Sequence, residues 1–449
     1  MTKSPPPLID SSRIFNRWVQ LLAGIFAMMA IANLQYAWTV FTTPIQEHLH
    51  ASLVDVQWTI ALFVGLETWL VPVEGYLVDR IGPRIMLGAG AILVALGWVG
   101  AGWAESLKSL YFWYGLGGVG AGIVYGGTVG NALKWFPDRR GLCVGLTAGA
   151  YGIGTALTIA PVDKMITALG YQHTFIVWGI IQGLIVMAAA LFLTKPPDGW
   201  LPPGWKEKES SIKARVNTSS LELTPFQMLH QPSFYLVYLM MTMLAFGGIV
   251  VTVQLAPMAK SYGVDKVVVA FGLSALVLAV ELDRIMNGLT RPFWGWVSDH
   301  IGRENALFIS FMLEAAAVFA LLQLIRYPIW FILLSGLCFF AWGNIYSLFP
   351  SITADLYGKR WATTNYGIVY TAKGLATLFA APGAAWLFEK TGSWTKVFWA
   401  MIICDVIAAL MALFWLKPMA AKAVRVTEPE TNPQTLSATN PVQASNSMA

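Results

Sequence analysis

Long apolar blocks of about 20 residues punctuate this chain, and that length dictates what it can fold into. As a helix rising about 1.5 Å per residue, such a block crosses a hydrocarbon layer about 30 Å thick. In lipid every backbone N–H and C=O must be satisfied within the chain, which favours helices. Twelve blocks are found in the 449 residues, at 18–43, 55–79, 84–104, 109–135, 140–162, 172–194, 232–257, 267–297, 304–325, 328–352, 361–388 and 393–416. A β-barrel would instead show short alternating segments. The expectation is an all-α polytopic membrane protein.

Composition agrees. Hydrophobic residues make up 56% and charged residues 12%, with mean hydropathy +0.60. A soluble domain carries about twice that charge fraction. Net charge is +5, but the basic residues lie mostly in short loops and tails, so topology explains them better than nucleic acid does. Cys143, Cys338 and Cys404 show no pairing pattern or metal spacing. The first block, starting near Trp18, is longer than the apolar core of a signal peptide and reads as the first span.

A polar stretch rich in Pro, Lys and Glu separates blocks six and seven. The organisation expected is a tail at 1–17, a first half at 18–194, a linker at 195–231, a second half at 232–417 and a disordered tail at 418–449. With the N-terminus inside, the tails, linker and inner loops hold 19 of the 29 Lys and Arg, and the outer loops hold 7. This asymmetry predicts that both termini face the cytoplasm of an inner-membrane protein.

The halves repeat. GYLVDRIGPR at 75–84 matches GWVSDHIGRE at 295–304, an offset of 220, and the same offset carries FPDRRG (136–141) onto LYGKRW (356–361). Parallel six-span repeats joined by a linker are a transporter plan.

Three cations remain inside the blocks: Arg284 and Arg291 in the eighth, Lys373 in the eleventh. Lys373 lies about 20 Å and 24 Å along a helix from its nearest charged neighbours, Arg360 and Glu389. A charge at such depth costs at least ~2.5–3.5 kcal/mol. Arg291 lies ~12 Å in from Asp299 and Arg284 ~22 Å in, on one helix face. Glu281 and Asp283 flank Arg284, which points to an internal salt bridge. Arg291 and Lys373 have no acid within one turn. They pair either with distant acids or helix carbonyls, or with a small dianion, Arg offering a bidentate fork and Lys a point charge. Tyr36 beside Gln35, Tyr125, Tyr151, Trp342, Tyr346 and Tyr370 fall near mid-span, where hydroxyls and ring edges suit a carboxylate. Helix packing is the alternative for each.

The acids Glu67 and Glu281 are candidates for proton coupling. Glu74, one turn from the end of its span, is expected to be solvated. GLGGVG (115–120) has no strand before it and reads as close helix packing. No Gly-Lys-Ser phosphate loop, nucleophile–base set or metal set appears, so neither an enzyme, a cofactor nor a metal is expected.

The repeated loop, with Gly75, Asp79, Arg80, Gly82 and Arg84, resembles the signature of the major facilitator superfamily, although Pro83 and His300 stand where that signature has Arg. The resemblance covers about 15–417 and implies two six-helix halves, a monomer, and Asp79, Arg80, Arg84, Asp299 and Arg303 as conformational latches. NLQYAWTVF, NALKWFPDRRGL, AYGIG, NGLTRPFWGWVSDHIGRENA and AWGNIYSLFPSITADLYG are similar to the oxalate/formate antiporter branch. That resemblance implies small carboxylate substrates, oxalate entering and formate leaving, held by an eighth-span arginine and an eleventh-span lysine. These map onto Arg291 and Lys373, with Gln35, Tyr36, Tyr151, Trp342 and Tyr346 around them. By depth alone, Arg284 competes with Arg291 as the partner of Lys373. The alternative function is a proton-coupled monocarboxylate symporter; a non-transporting membrane sensor is a third.

Overall fold

The computed structural model describes residues 16–51, 53–197, 200–202, 221–270 and 272–427. Its first half contains α1 (Arg17–Tyr36), α2 (Trp38–Leu49), α3 (Leu53–Trp69), α4 (Val71–Ile81), α5 (Pro83–Gly102), α6 (Leu107–Trp135) and α7 (Arg140–Phe192). The short α8 (Pro225–Leu229) precedes a second half of α9 (Pro232–Ser261), β1 (Val268–Ala270), β2 (Leu273–Ser274), α10 (Ala275–Ile301), α11 (Arg303–Leu324), α12 (Pro328–Trp342), α13 (Ile345–Tyr357), α14 (Ala362–Thr391), α15 (Thr395–Met411), a π-turn (Ala412–Leu416) and α16 (Lys417–Thr427). These group into twelve spans, six per half. α1 with α2, α3 with α4, and α12 with α13 each form one interrupted span, and Gly170, at φ +83°, divides α7 into two.

Local sequence sets the boundaries. Proline opens α5, α8, α9 and α12 in the first turn, where a missing N–H costs nothing. The repeated loop has one structural reason for its glycine. Gly82 and Gly302, 220 positions apart, turn the chain at φ +106° and +90°, which a side chain disfavours. The GLGGVG stretch packs as its composition suggests: a Cβ on Gly120 would fall 2.7 Å from the Val94 amide on α5. Close backbone approach through small residues is the usual way membrane helices gain packing.

Three boundaries differ from expectation. The eighth span begins at Ala275 rather than 267, because Val268–Ala270 pairs antiparallel with Leu273–Ser274 around Gly272, at φ +73°. Hydropathy alone does not separate that β-branched run from a helix start. The helix after the twelfth block continues to Thr427 instead of ending at 417, with Lys417 donating to Asn305 at 3.0 Å. α8, built on a Thr224–Gln227 capping box, lies inside the segment expected to be linker. Residues 1–15, 203–220 and 428–449 of the expected tails and linker lie outside the described residues.

The halves are sealed against each other at the end carrying the two repeated loops. The Asp299 carboxylate, at the end of α10, accepts from the amides of Gly141 and Leu142 at the start of α7, at 3.1 and 3.0 Å. The Asp79 carboxylate, at the end of α4, accepts from the Thr364 amide and hydroxyl at the start of α14, at 2.8 and 2.6 Å. Each half thus offers an anion to a helix N-terminus of the other, where unpaired N–H groups and the helix dipole favour negative charge. Arg140 of α7 pairs with Asp355 of α13, which also takes Arg303 at 2.9 Å; Arg303 reaches Asp299 at 2.5 Å. Lys134 binds Asp79 at 2.5 Å. Glycines permit the approach: a Cβ on Gly141 would overlap the Gly295 carbonyl, and one on Gly145 the Arg291 carbonyl.

Of the expected latch residues, Asp79, Asp299 and Arg303 stand in this seal. Arg80 is exposed and donates to the Tyr76 hydroxyl at 2.9 Å, and Arg84 is exposed with no side-chain partner among the described residues. Each points outward from its helix, so neither bridges the halves. Sequence reasoning did not assign Asp355, Arg140 or Lys134 to the seal. An acid and two bases at span ends are signals it could have used.

Candidate functional site

Interrupted spans carry several of the central side chains. α1 ends at Tyr36 and α2 resumes at Trp38, which leaves Gln35 and Tyr36 at the break. α12 ends at Trp342 and α13 starts at Ile345, so Trp342 and Tyr346 flank the Gly343–Asn344 step. α3 ends at Trp69, just beyond Glu67, and meets α4 at a 45° bend. In α10 Pro292 follows Arg291 directly and frees the Gly288 carbonyl from its helical bond. Breaks at mid-depth belong where they line a site, because freed backbone groups need partners away from lipid.

Arg291 and Lys373 meet around one ring. The Arg291 guanidinium lies 4.5 Å from the Tyr346 ring centre, and the Lys373 ammonium lies 5.8 Å from the same centre. Lys373 also donates to the Tyr370 hydroxyl at 3.0 Å. Arg291 donates to the Ala148 carbonyl of α7 and to Asn287 Oδ1 at 2.9 Å, leaving Nε without a partner. The two are 2% and 8% exposed, and neither has an acid within ion-pair distance among the described residues. A backbone carbonyl, the Asn287 amide oxygen, the Tyr370 hydroxyl and ring faces therefore hold them, and cation–π contact is strongest when desolvated.

The aromatics form one continuous wall. Tyr36 meets Tyr151 at 5.1 Å, Tyr151 meets Tyr125 at 6.0 Å, and Tyr125 stacks on Tyr370 at 5.0 Å. Tyr370 then reaches Tyr346 at 6.3 Å, and Tyr346 reaches Trp342 at 5.5 Å. The Tyr151 hydroxyl donates to Gln35 Oε1 at 3.0 Å and stands 3.5 Å from Glu67 Oε1. The Trp342 indole is fixed by donation to the Leu244 carbonyl at 3.0 Å, in a notch that exists because residue 248 is glycine. All six aromatics singled out from the sequence, with Gln35, Arg291, Lys373 and Glu67, thus surround one place between the halves.

Three expectations are corrected. Arg284 does not form the internal salt bridge that Glu281 and Asp283 suggested: it has no ion pair among the described residues, and its Nε is buried without a partner. It also makes no contact with the Tyr346 ring, so Arg291 is the cation beside Lys373. Glu281 is exposed and away from the cluster, because α10 turns that face outward. Glu74 is not solvated. It is 5% exposed, its oxygens lack partners, and it faces Gly122 of α6. Sequence reasoning missed Tyr366, 5.6 Å from Tyr370 on the same helix face, and Asn287. The spacing of four in each pair, 366 with 370 and 287 with 291, was the available signal.

Two six-span halves enclosing a buried, aromatic-walled cation pair are the plan of a membrane transporter. The chain belongs to the Major Facilitator Superfamily, whose model matches residues 21–282 and 285–446. It is 32% identical over 406 residues to the oxalate:formate antiporter of Oxalobacter formigenes, covering 90% of this chain and 92% of that one. It is 23% identical over 403 residues to monocarboxylate transporter 12 of Mus musculus, covering 84% and 81%. Among solved structures, the proton:xylose symporter XylE superposes with a TM-score of 0.69 at 15% identity, over 89% of this chain and 96% of that one. FucP in the outward conformation superposes with a TM-score of 0.65 at 12% identity, over 88% and 98%. At those identities the structures speak for the fold alone.

Proposed function

We propose that this chain exchanges small carboxylates across the inner membrane by alternating access, oxalate entering and formate leaving, with both termini and the sealed face cytoplasmic. The observation that carries this reading is the pair Arg291 and Lys373 over the Tyr346 ring, both buried and both without an acid within ion-pair distance among the described residues. A carboxylate between them supplies the missing negative charge, and its oxygens find hydroxyl donors on the tyrosine wall. An empty site leaves buried cations uncompensated and opposes closure, whereas a loaded one permits it, which favours exchange over net flux. Similarity to the oxalate:formate antiporter supports the substrate class.

The test is counterflow of labelled oxalate in proteoliposomes. Arg291→Ala and Lys373→Ala each remove one member of a buried charge pair, worth at least ~2 kcal/mol or about thirtyfold in affinity. Uptake is expected to be abolished, and full exchange by either variant overturns the reading. Buried Glu67 near Lys373 favours a second reading, proton-coupled monocarboxylate symport. A symporter accumulates substrate after a pH jump with no substrate inside, and an exchanger does not.

A further inference from the structure

Glu67 is a third member of the central charge cluster. It is 1% exposed, and its Oε2 has no partner while Oε1 faces the Tyr151 hydroxyl. It lies within electrostatic reach of Lys373 but beyond ion-pair distance, so it is close without being locked. The helices that carry the two groups touch at this level: a Cβ on Gly374, next to Lys373, would overlap the Trp69 indole, two residues past Glu67. Glu67 belongs to the first half and both cations to the second, so Glu67 faces Lys373, with Arg291 beyond it, across the interface between the halves.

The other groups facing Glu67 are Glu74, Tyr125, Tyr151, Tyr346 and Tyr370. The phenols are neutral. Glu74 faces no cation among the described residues, and a carboxyl so buried stays neutral. The count therefore rests on three groups. With Glu67 ionised, Arg291 and Lys373 leave a net charge of +1; with Glu67 protonated the cluster carries +2. In a site shut off from water, an occupant whose charge cancels the cluster binds best.

We propose that Glu67 sets the valence of the bound anion: ionised, the site takes a monocarboxylate, and protonated, a dicarboxylate. The proposal rests on the carboxylate-exchange reading and alters its charge balance. A dianion crosses with one proton on Glu67 and releases it on the far side; a monoanion returns with Glu67 ionised. One negative charge then moves each way, so exchange is electroneutral and carries a proton in the direction of the dianion.

The test compares wild type, Glu67→Gln and Glu67→Asp in proteoliposomes, with oxalate and malonate as dianions and formate and acetate as monoanions. Glu67→Gln fixes the cluster at +2. Its ratio of dianion to monoanion affinity is expected to rise on the order of a hundredfold, the scale of one charge about 5 Å away at an effective dielectric near 20. Glu67→Asp should keep the wild-type ratio. A dye in the lumen of wild-type vesicles should report one proton entering per dianion exchanged for a monoanion; the Gln variant should move none and generate a membrane potential. The wild-type proton measurement does not depend on any variant folding. Wild-type exchange without proton movement, or an unchanged ratio in Glu67→Gln, overturns the proposal while leaving carboxylate exchange intact. A wild type that binds no carboxylate overturns both.

Discussion

Arg291 and Lys373 hang from different spans yet both stand against the Tyr346 ring, at 4.5 Å and 5.8 Å from its centre, with Lys373 also 5.1 Å from the Tyr370 ring centre. The ring stands where a counter-ion would otherwise be needed, and it holds both cations without neutralising either. A π-face attracts a cation by its quadrupole but leaves the full charge available to an anion. Tyr346 thus positions the pair rather than consuming it.

Tyr346→Phe keeps the ring, and oxalate counterflow should fall by less than about threefold. Tyr346→Leu removes the π-face, worth roughly 2 kcal/mol for a desolvated cation, and should weaken binding by at least about tenfold. Affinities from counterflow at several oxalate concentrations decide between them. Equal effects from Phe and Leu would mean that the hydroxyl, not the ring, matters.

The indole of Trp342 occupies space vacated at residue 248, where a methyl group would overlap it. Gly248→Ala is expected to displace the indole, break its bond to the Leu244 carbonyl and lower transport about tenfold or more. Trp342→Phe in the same chain shrinks the ring and should restore part of the loss, giving a favourable coupling of roughly 1 kcal/mol in a double-mutant cycle. Fold-changes in transport that simply multiply for the two substitutions would show that they act independently.

Spacing and depth were enough to find Arg291, Lys373 and Glu67, because a charge inside an apolar run is visible in any sequence. The breaks after Tyr36, Trp69 and Trp342 were not legible, since apolar composition runs through them and hydropathy reports depth rather than backbone path. Gln35, Tyr36 and Tyr346 stand at or beside those breaks. Choosing Arg291 over Arg284 likewise needed helix rotation: seven residues put both on one face, and only the packing of α10 on α7 shows which guanidinium reaches the Ala148 carbonyl. The seal was half legible. The repeated loop announced Asp79 and Asp299, but that each caps a helix of the opposite half is a property of assembly.

Those two caps are equivalent by the repeat, so each should contribute similarly to the sealed arrangement. Asp79→Asn and Asp299→Asn weaken a charge–dipole contact worth about 0.3–1 kcal/mol when exposed and up to ~2 kcal/mol when partly buried. Each should raise the unsealed population between about twofold and thirtyfold, and the double variant by about the product. Maleimide labelling of Thr363→Cys, in a background lacking Cys143, Cys338 and Cys404, reports that population. Labelling rates that match the parent's would remove the caps from the gating machinery.

Lys359, in the loop between α13 and α14, is expected to make the seal respond to alkali. Burial pushes its ammonium below the ordinary lysine value of 10.5, and the Arg140 guanidinium pushes the same way against the opposing pull of Glu222. Glu222 is itself tied to this loop, accepting from the Arg360 amide at 2.6 Å. A lowered lysine value means the sealed arrangement disfavours the charged form. That penalty is fully present below the lowered value and fades as pH rises through it towards 10.5. The sealed arrangement should therefore gain stability as pH rises through the lowered lysine value towards 10.5, seen as slower labelling of Thr363→Cys. Lys359→Met removes the like charge beside Arg140, so it should slow labelling already at pH 7 and flatten the pH profile. A Lys359→Met profile parallel to that of the parent would assign the alkaline effect to another group.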